Sequence, residues 1–271
     1  MFTCGRLRVT VATPRESISA RTLASSSDIC ISGNFGSAKS RDLLYQALDK
    51  NGMLANKGFI KNPKYTKSDV KIRHKESGYA GFFDLNAYTL RHRHFNGEWG
   101  NEITREVFER GHAVGILPYD HIRDEVVLIE QFRPGAFVAL KSPWFADDAS
   151  PWLYEAVAGI IDPGESPADV AYRETIEEAG TTLSDLMPVC HYLVSPGSGT
   201  ESVFVFVRCI DSTKIEDVHG VETEGEDIRP FTVRLQEAYD AIASDKINNG
   251  MTIIALQWLM LNKEQVLTKW S

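Results

Sequence analysis

One helix whose two ends are both marked in the sequence lies in the middle of a chain made mostly of strand-length segments. Ser166, Pro167 and Asp169 supply an N-cap serine, a proline at the first helical position and an acid at the capping-box position. Gly180 stands where a left-handed C-terminal cap is favoured. The sequence therefore predicts a helix of about 13 residues between these signals.

Strand-length apolar runs surround this helix from Val70 onward. An alternating pattern over residues 82–95 ends at Asn96-Gly97, a dipeptide typical of hairpins. Further runs are "REVFERG", "HAVGILPY", "EVVLIEQFR", "WLYEAVAG", "VCHYLVSPG" and "SVFVFVRCID". Two helical patterns close the chain, "QEAYDAIASD" and "TIIALQWLMLNKEQVL". Strands that outnumber helices, with one helix between them, predict a mixed α+β sandwich.

Composition excludes several classes of protein. The chain has 271 residues, of which 43% are apolar, so it can bury a core without staples. A net charge of −8 argues against nucleic acid as a partner, because phosphate binders present basic faces. No apolar run reaches the roughly 18 residues that a membrane span needs. The four cysteines show no CxxC spacing, which favours free thiols in a reducing compartment.

The first part of the chain, residues 1–65, differs from the rest. Residues 1–27 contain four arginines, a cluster of serines and one acid, Glu16, which is the composition of an organellar transit peptide. The alternative is a disordered or non-native extension, with Met53 as the true start. We favour that alternative and expect a cytoplasmic protein.

The predicted helix concentrates negative charge. Glu174 and Glu178 are four residues apart and share one face, and Glu177 is three residues from Glu174. Like charges at this spacing destabilise a helix by a few tenths of a kcal/mol per pair. Arg173 can bond to Glu177, but one arginine does not neutralise three carboxylates. The alternatives are a solvated helix face and a site for a hard divalent cation such as Mg²⁺, which takes carboxylate and carbonyl oxygens.

A longer pattern favours the cation. The fixed residues of the Nudix box, G-x5-E-x7-R-E-U-x-E-E-x-G-U, are all present and in register: Gly159, Glu165, Arg173, Glu174, Glu177, Glu178 and Gly180. Thr175 and Thr181 occupy the two bulky aliphatic positions, a departure that affects helix packing. The chain thus resembles the Nudix hydrolases, and the resemblance implies a mixed-sheet α/β/α sandwich with a small N-terminal antiparallel sheet.

The resemblance also implies a set of metal ligands. It assigns Mg²⁺, with Mn²⁺ as the alternative cation, to the backbone carbonyl of Ala158 and to Glu174 and Glu178. Glu177 is implied as a further ligand or as support for one. Glu165 is implied to order the loop together with Arg173.

Outside the box, the chain from about Tyr79 onward resembles the ADP-ribose pyrophosphatase branch. The similar stretches include "GFFDLNAYTLRHRHFNG", "VVLIEQFRPGA", "SPGSGTE" and "GEDIR". By this resemblance a glutamate on the late loop "HGVETEGEDIR" is the general base. The candidates are Glu222, Glu224, Glu226 and Asp227; counting back from Asp227 assigns the base to Glu224 and a further metal ligand to Glu226.

Substrate contacts follow from the same resemblance. In the resembling enzymes an aromatic residue from an N-terminal strand stacks on adenine, an arginine covers its other face, and the two can come from different subunits of a dimer. The implied contacts are Phe82, Phe83, Arg105, Arg110, Arg133, Ile160, Ser195, Pro196, Gly197 and Glu201. Taken alone, a strand phenylalanine is more often core, and Ser195-Pro196-Gly197 is an ordinary turn. Pro134-Gly135 and "KSPWFADDASPW" depart from the branch, so the loop shape near Arg133 is open.

Together these features predict a homodimeric Mg²⁺-dependent hydrolase that splits ADP-ribose into AMP and a sugar phosphate, with other ADP-sugars as further candidate substrates. Residues 66–111 would form the small sheet, which can swap between subunits, and residues 112–271 the Nudix domain. One alternative is another nucleoside-diphosphate-sugar pyrophosphatase, such as one acting on GDP-mannose. Another is a non-catalytic nucleotide sensor, which predicts a degraded box and an attached DNA-binding segment.

Overall fold

The structure, a computed structural model, describes residues 63–179, 186–215 and 227–270. Within these ranges the strands are β1 (Val70–Ala80), β2 (Asp84–His92), β3 (Ile103–Glu109), β4 (His112–Asp120), β5 (Glu125–Phe132), β6 (Trp152–Glu155), β7 (Val157–Ile160), β8 (Leu186–Leu193), β9 (Ser202–Cys209) and β10 (Arg229–Arg234). The helices are α1 (Pro134–Ala139), α2 (Pro167–Ala179), α3 (Leu235–Ala243) and α4 (Gly250–Trp270). Two single 3₁₀ turns cover Lys67–Asp69 and Ser212–Lys214. The predictions for residues 1–62 lie outside the described residues.

A three-stranded antiparallel sheet in the order β1-β2-β3 begins the described chain. The turn between β2 and β3 is closed by the amide of Gly97, which donates to the carbonyl of His94 at 2.8 Å. Gly97 has a φ of +92°, a conformation that glycine adopts without strain. The predicted hairpin at Asn96-Gly97 is therefore confirmed.

A seven-stranded mixed sheet forms the second layer of strands. Its path is β10-β5-β4-β9-β8, with β6 paired to β5 and β7 paired to β4. β4 and β9 run parallel, and the other pairs are antiparallel. The stretch "WLYEAVAG" therefore makes two strands that pair with different neighbours. They separate at Ala156, which is fully buried and donates its amide to the hydroxyl of Thr252 at 2.8 Å.

Strict alternation along the central strands builds a core on each face of this sheet. Even-numbered residues of β4, such as Val114 and Ile116, pack in one cluster with Val170 and Ala171 of α2. Odd-numbered residues, such as Leu117, pack in a second cluster with side chains of α3 and α4. The helices therefore cover both faces, and the predicted α/β/α sandwich with a small antiparallel sheet is confirmed.

Helix α2 begins and runs as predicted. The Ser166 hydroxyl accepts from the amide of Asp169 at 3.2 Å, and the Asp169 carboxylate accepts from the amide of Ser166 at 3.1 Å. This reciprocal pair is a capping box. The hydrogen bonds that the Ser166 hydroxyl and then the Ser166 amide donate to the Asp169 carboxylate lower the pKa of Asp169. The predicted C-terminal cap at Gly180 lies outside the described residues.

Helix α1 is a feature that the sequence patterns did not indicate. It begins at Pro134, whose missing amide is not needed at a first helical position, and the amide of Phe137 donates to the carbonyl of Arg133 at 3.0 Å. Several apolar side chains here are exposed, including half of the Phe137 side chain.

Among the described residues, no helix is both long and apolar enough to cross a membrane.

A buried carboxylate closes the turn after β4. The Asp120 side chain accepts hydrogen bonds from the amides of Ile122, Arg123 and Ser212, each at 3.0 Å, and from the Ser212 hydroxyl at 2.9 Å. Burial raises the pKa of this carboxyl group, but the hydrogen bonds from Ser212 and Arg123 outweigh burial and lower the pKa to about 2. Asp120 thus stabilises the fold as an anion.

We expect Asp120→Asn to lower the free energy of unfolding at pH 7 by about 1.5–3 kcal/mol, the usual loss for hydrogen bonds to a charged group. Because the folded pKa lies below the unfolded value, the contribution is present above about pH 4 and is lost as the pH falls toward 2. Urea unfolding should show that the substitution lowers the free energy of unfolding less at pH 3 than at pH 7. Asp240→Asn, on the exposed side of α3, is the control, and an equal deficit at both pH values would contradict the charge assignment.

Candidate active site

The centre of the candidate site is a close approach of helix α2 to strand β7. Gly159 pairs with Val114, and the neighbouring Ala158 pairs with Gly115. The Glu174 side chain of α2 lies directly over Gly159, so a Cβ built on this glycine would overlap the Glu174 carboxyl group. Glu174 is buried, with 7% of the residue exposed. The glycine is therefore what allows a buried carboxylate to sit against the strand.

A single guanidinium group fixes the elements around this contact. Arg173 binds both carboxylate oxygens of Glu165 at 3.1 Å, the Glu174 carboxylate at 2.6 Å and the carbonyl of Ile160 at 3.3 Å. The Arg173 side chain, followed by the amide of Asp162, lowers the pKa of Glu165. The charge of Arg173 thus connects strand β7, the following loop and helix α2.

Part of the predicted metal site lies in this region. Ala158, whose backbone carbonyl is a predicted ligand, precedes Gly159 on β7, and the Glu174 carboxylate of α2 lies over Gly159. The side chains of Glu177 and Glu178, and residues Glu224 and Glu226, lie outside the described residues. Among the side chains that are described, no three of His, Cys, Asp or Glu are grouped to hold a metal.

The donor chemistry fits a hard divalent cation. A backbone carbonyl and carboxylates are all oxygen donors, which is the set that Mg²⁺ and Mn²⁺ take. The space over Gly159 that a Cβ would fill is occupied by the Glu174 carboxyl group. Helix α2 also places position 178 one turn after position 174, on the same face.

The end of β3 is hydrogen-bonded to the turn that was predicted to contact the terminal ribose. The amide of Phe108 donates to Ser198 at 2.8 Å, and the amide of Thr200 donates to Phe108 at 3.1 Å. The predicted contacts in this turn are exposed: Ser195, Pro196 and Gly197. The small sheet and the turn are therefore joined by backbone hydrogen bonds at this point.

Two further predicted residues bind each other beside that turn. Arg110 forms a salt bridge with Glu201, and its guanidinium lies 5.5 Å from the centre of the Phe83 ring. Phe83 packs edge-on against Phe82 at 4.7 Å and Phe108 at 5.2 Å. Phe82 is 85% exposed, whereas Phe83 is half-buried. Of the two candidate stacking residues, Phe82 thus offers the freer ring.

Arg105 is not brought to these aromatic rings within one chain. It lies opposite Tyr88 in the β2–β3 register, three positions before Phe108. Side chains an odd number of positions apart on a strand point to opposite faces, so Arg105 and Phe108 face opposite ways. The Arg105 side chain is exposed and donates to the carbonyl of Thr104 at 2.8 Å.

Arg133 is held by residues that the sequence patterns did not single out. Its Nε donates to the buried carboxylate of Glu155 at 2.6 Å, and the Asn249 side chain donates to the other oxygen at 2.5 Å. The signal for Glu155 was a charged residue within the apolar run "WLYEAVAG". Asn249 had no signal, because its contact spans 94 positions of the chain.

A second group that the sequence patterns missed lies next to Glu201. The hydroxyl of Ser202 is 2.8 Å from Nδ1 of His112 and 2.8 Å from Nε2 of His191. The His191 ring stacks on Phe204 with centroids 3.8 Å apart and planes within 6°. Three adjacent strands, β4, β9 and β8, are thereby joined by side chains at the edge nearest the turn.

We expect Gly159→Ala to disrupt this site. The new methyl group would displace the Glu174 carboxyl group, and overpacking of this kind costs about 1–3 kcal/mol of folding free energy. The urea concentration at the midpoint of unfolding should fall, and catalytic turnover should fall with it.

Gly135→Ala in α1 is the matched control for stability, because a Cβ there meets nothing within 4 Å. It should leave the free energy of unfolding unchanged or slightly higher. Full turnover by Gly159→Ala would contradict the assigned contact.

Comparison with known proteins places this arrangement in a family. A NUDIX domain model matches residues 109–251. The chain is 44% identical over 207 residues to the ADP-ribose pyrophosphatase of Escherichia coli (strain K12), covering 76% of this chain and 95% of that protein. It is 34% identical over 182 residues to the GDP-mannose pyrophosphatase of Yersinia pestis (strain Pestoides F), covering 67% and 86%.

A solved structure described as an ADP compounds hydrolase has the same fold. It aligns with a TM-score of 0.54 at 22% identity, over 73% of this chain and 96% of that one. The family model, the relatives and the packing of Glu174 on Gly159 agree, and the chain belongs to the NUDIX domain family.

Proposed function

We propose that this Nudix protein hydrolyses the pyrophosphate of ADP-ribose to AMP and ribose 5-phosphate, and that other ADP-sugars can also serve. The observation that carries the proposal is the geometry of the described part of the box, in which Arg173 holds Glu165 and Glu174 beside Gly159. ADP-ribose is proposed as the substrate because the chain is 44% identical to the ADP-ribose pyrophosphatase of Escherichia coli.

The proposed cofactor is Mg²⁺, with Mn²⁺ as the alternative cation. Its proposed ligands are the Ala158 carbonyl, Glu174, Glu178 and Glu226, with Glu177 as a ligand or as support for one. When bound, the cation supplies positive charge that neutralises the pyrophosphate and polarises a phosphoryl oxygen. The oxygen-only donor set supports this choice.

The chain's own side chains would bind and orient the substrate. Glu224 is the proposed general base that takes a proton from the attacking water. Arg110 and Arg133 would face the phosphates and the ribose, and guanidinium groups suit this role because they present several donors in one plane. For Arg110 this requires exchange of its present partner, Glu201, for an anionic group of the substrate.

The terminal ribose would be bound by the turn after β8 and the end of β7. The proposed contacts are Ile160, Ser195, Pro196, Gly197 and Glu201. The hydrogen bonds between this turn and the end of β3 support the proposal, because they fix the turn beside Arg110.

The proposed assembly is a homodimer, with residues 66–111 able to swap between subunits. Adenine would lie between Phe82 or Phe83 of one chain and Arg105 of the other. The opposite facing of Arg105 and Phe108 on β3 supports a shared site. Exposed apolar side chains around α1 support self-association: Phe132, Phe137, Val138, Trp144 and Trp152.

A cytoplasmic location is also part of the proposal. Cys190 and Cys209 form no disulfide, which is the usual state of thiols in a reducing compartment. The burial of the Cys190 side chain raises the pKa of its thiol and keeps it protonated at neutral pH.

A second candidate substrate is GDP-mannose. The 34% identity to a GDP-mannose pyrophosphatase favours it as the alternative, because the box fixes the chemistry and leaves the base open. The choice between adenine and guanine would be made at the aromatic rings and Arg105.

The test of the proposed function is AMP release from ADP-ribose by the full chain, with and without Mg²⁺, beside GDP-mannose and NADH. We expect Mg²⁺-dependent turnover with ADP-ribose as the best substrate. Preference for GDP-mannose would overturn the substrate assignment and keep the chemistry. Binding of ADP-ribose without turnover of any of the three would indicate a nucleotide sensor.

Glu178→Gln should abolish turnover while leaving the fold intact, because an amide is a weaker ligand for Mg²⁺ than a carboxylate. The loss expected is at least about a hundredfold in kcat, with an unchanged circular dichroism spectrum and unfolding midpoint. Glu237→Gln, an exposed glutamate of α3, is the matched control. Wild-type turnover by Glu178→Gln would remove Glu178 from the metal site.

A further inference from the structure

Glu155 is a buried carboxylate with a defined partner on each oxygen. It lies at the end of β6 with 2% of its surface exposed. Oε2 accepts from Nε of Arg133 at 2.6 Å, and Oε1 accepts from Nδ2 of Asn249 at 2.5 Å. Burying a carboxylate is unfavourable unless its charge and its lone pairs are matched, so its two partners explain why it can be there.

We propose that Glu155 is a positioning residue that fixes the guanidinium of Arg133 for an anionic group of the substrate, and that Asn249 fixes Glu155 in turn. The inference rests on the proposed function, since it deepens the role given to Arg133. Glu155 itself has no room for a ligand, because both of its oxygens are taken by protein donors.

The way in which Arg133 is bound leaves its outer edge available. Its side chain is 37% exposed, whereas that of Glu155 is 2% exposed. The salt bridge uses Nε, and among the described residues the two terminal nitrogens of Arg133 make no hydrogen bond to protein. A guanidinium held by Nε still presents terminal N–H groups in a fixed plane, which is the geometry that suits a phosphate.

The other side of Glu155 is anchored to a rigid element. Asn249 precedes α4, and its Oδ1 accepts from the amide of Thr252 at 3.1 Å, as an N-cap does. The Thr252 hydroxyl, which is fully buried, accepts from the amide of Ala156 at 2.8 Å. The residue after Glu155 is therefore bound to the same helix turn that binds its carboxylate.

A carboxylate is the one group that satisfies both partners. Each partner is a donor, the N–H of Arg133 on one side and the amide NH₂ of Asn249 on the other. Glutamine would offer one acceptor and one donor, so one pair of donors would face each other. Asn249 does not relieve this by turning its amide, because its Oδ1 is already used to cap α4.

The experiment compares Glu155→Gln, Arg133→Ala and the double variant in the full chain, with KM and kcat for ADP-ribose measured at saturating Mg²⁺. We expect Glu155→Gln to raise KM about tenfold with a smaller change in kcat. The Mg²⁺ concentration for half-maximal activity should not change. The double variant should be no worse than Arg133→Ala, because Glu155 acts through that arginine.

Two further variants separate positioning from stability. Asp120→Asn removes the charge of another buried carboxylate, which binds the turn after β4, and should lower stability without changing KM. Asn249→Ser keeps an N-cap residue for α4 but removes the donor to Glu155, and should raise KM less than Glu155→Gln does. If Glu155→Gln does not fold, the KM of Asn249→Ser tests the proposal instead.

The outcomes separate the two proposals. A folded Glu155→Gln protein with wild-type KM, beside an Arg133→Ala protein with raised KM, would overturn the positioning role and leave the proposed function. A double variant much worse than Arg133→Ala would also overturn it. Absence of ADP-ribose turnover in the wild-type chain would instead reject the proposed function, and wild-type KM in Arg133→Ala would reject the role of Arg133.

Discussion

The arrangement of the candidate site depends on the charge of Arg173. Its guanidinium reaches two carboxylates and one carbonyl, from Glu165, Glu174 and Ile160. Without this cation the two carboxylates would repel each other in a partly buried place, where the repulsion is weakly screened. With the arginine in place, helix α2 can bring the Glu174 carboxylate onto strand β7. Arg173 thus joins the described part of the box through two carboxylates and one carbonyl, and its positive charge offsets part of their negative charge.

Arg133 is also held by an opposite charge, but here the carboxylate is the buried partner and the arginine is the more exposed one. At the box, a partly exposed arginine, Arg173, orders the Glu174 carboxylate, which is proposed to bind a cation. At β6, a buried carboxylate, Glu155, orders an arginine that is proposed to bind an anion. In both cases the group that meets the ligand is held by an opposite charge behind it, so the ligand meets a fixed side chain. Less conformational entropy is then lost when the ligand binds.

The sequence predicted what local chemistry determines. Helix α2 was found because Ser166, Pro167 and Asp169 act on backbone groups within one turn, and the hairpin at Gly97 was found for the same reason. The separation of β6 from β7 was not predicted, because it depends on a hydrogen bond from Ala156 to Thr252, 96 positions away. The Glu155 contacts and the serine between two histidines are equally non-local. The box residues were recognisable because their spacing is short and fixed, whereas nothing in a single sequence marks the partners that orient Arg133.

The placement of the small sheet shows how the recognition of a substrate and the chemistry can be joined. Strand β3 ends in a salt bridge between Arg110 and Glu201, and its backbone is hydrogen-bonded to the turn after β8. A substrate anion that replaced Glu201 at Arg110 would act on the small sheet and on that turn together. Arg105, which is proposed to contact adenine, lies on the same strand three positions before Phe108, so a shift of β3 would also displace Arg105. Occupancy of the phosphate position and of the base position would then be coupled through β3.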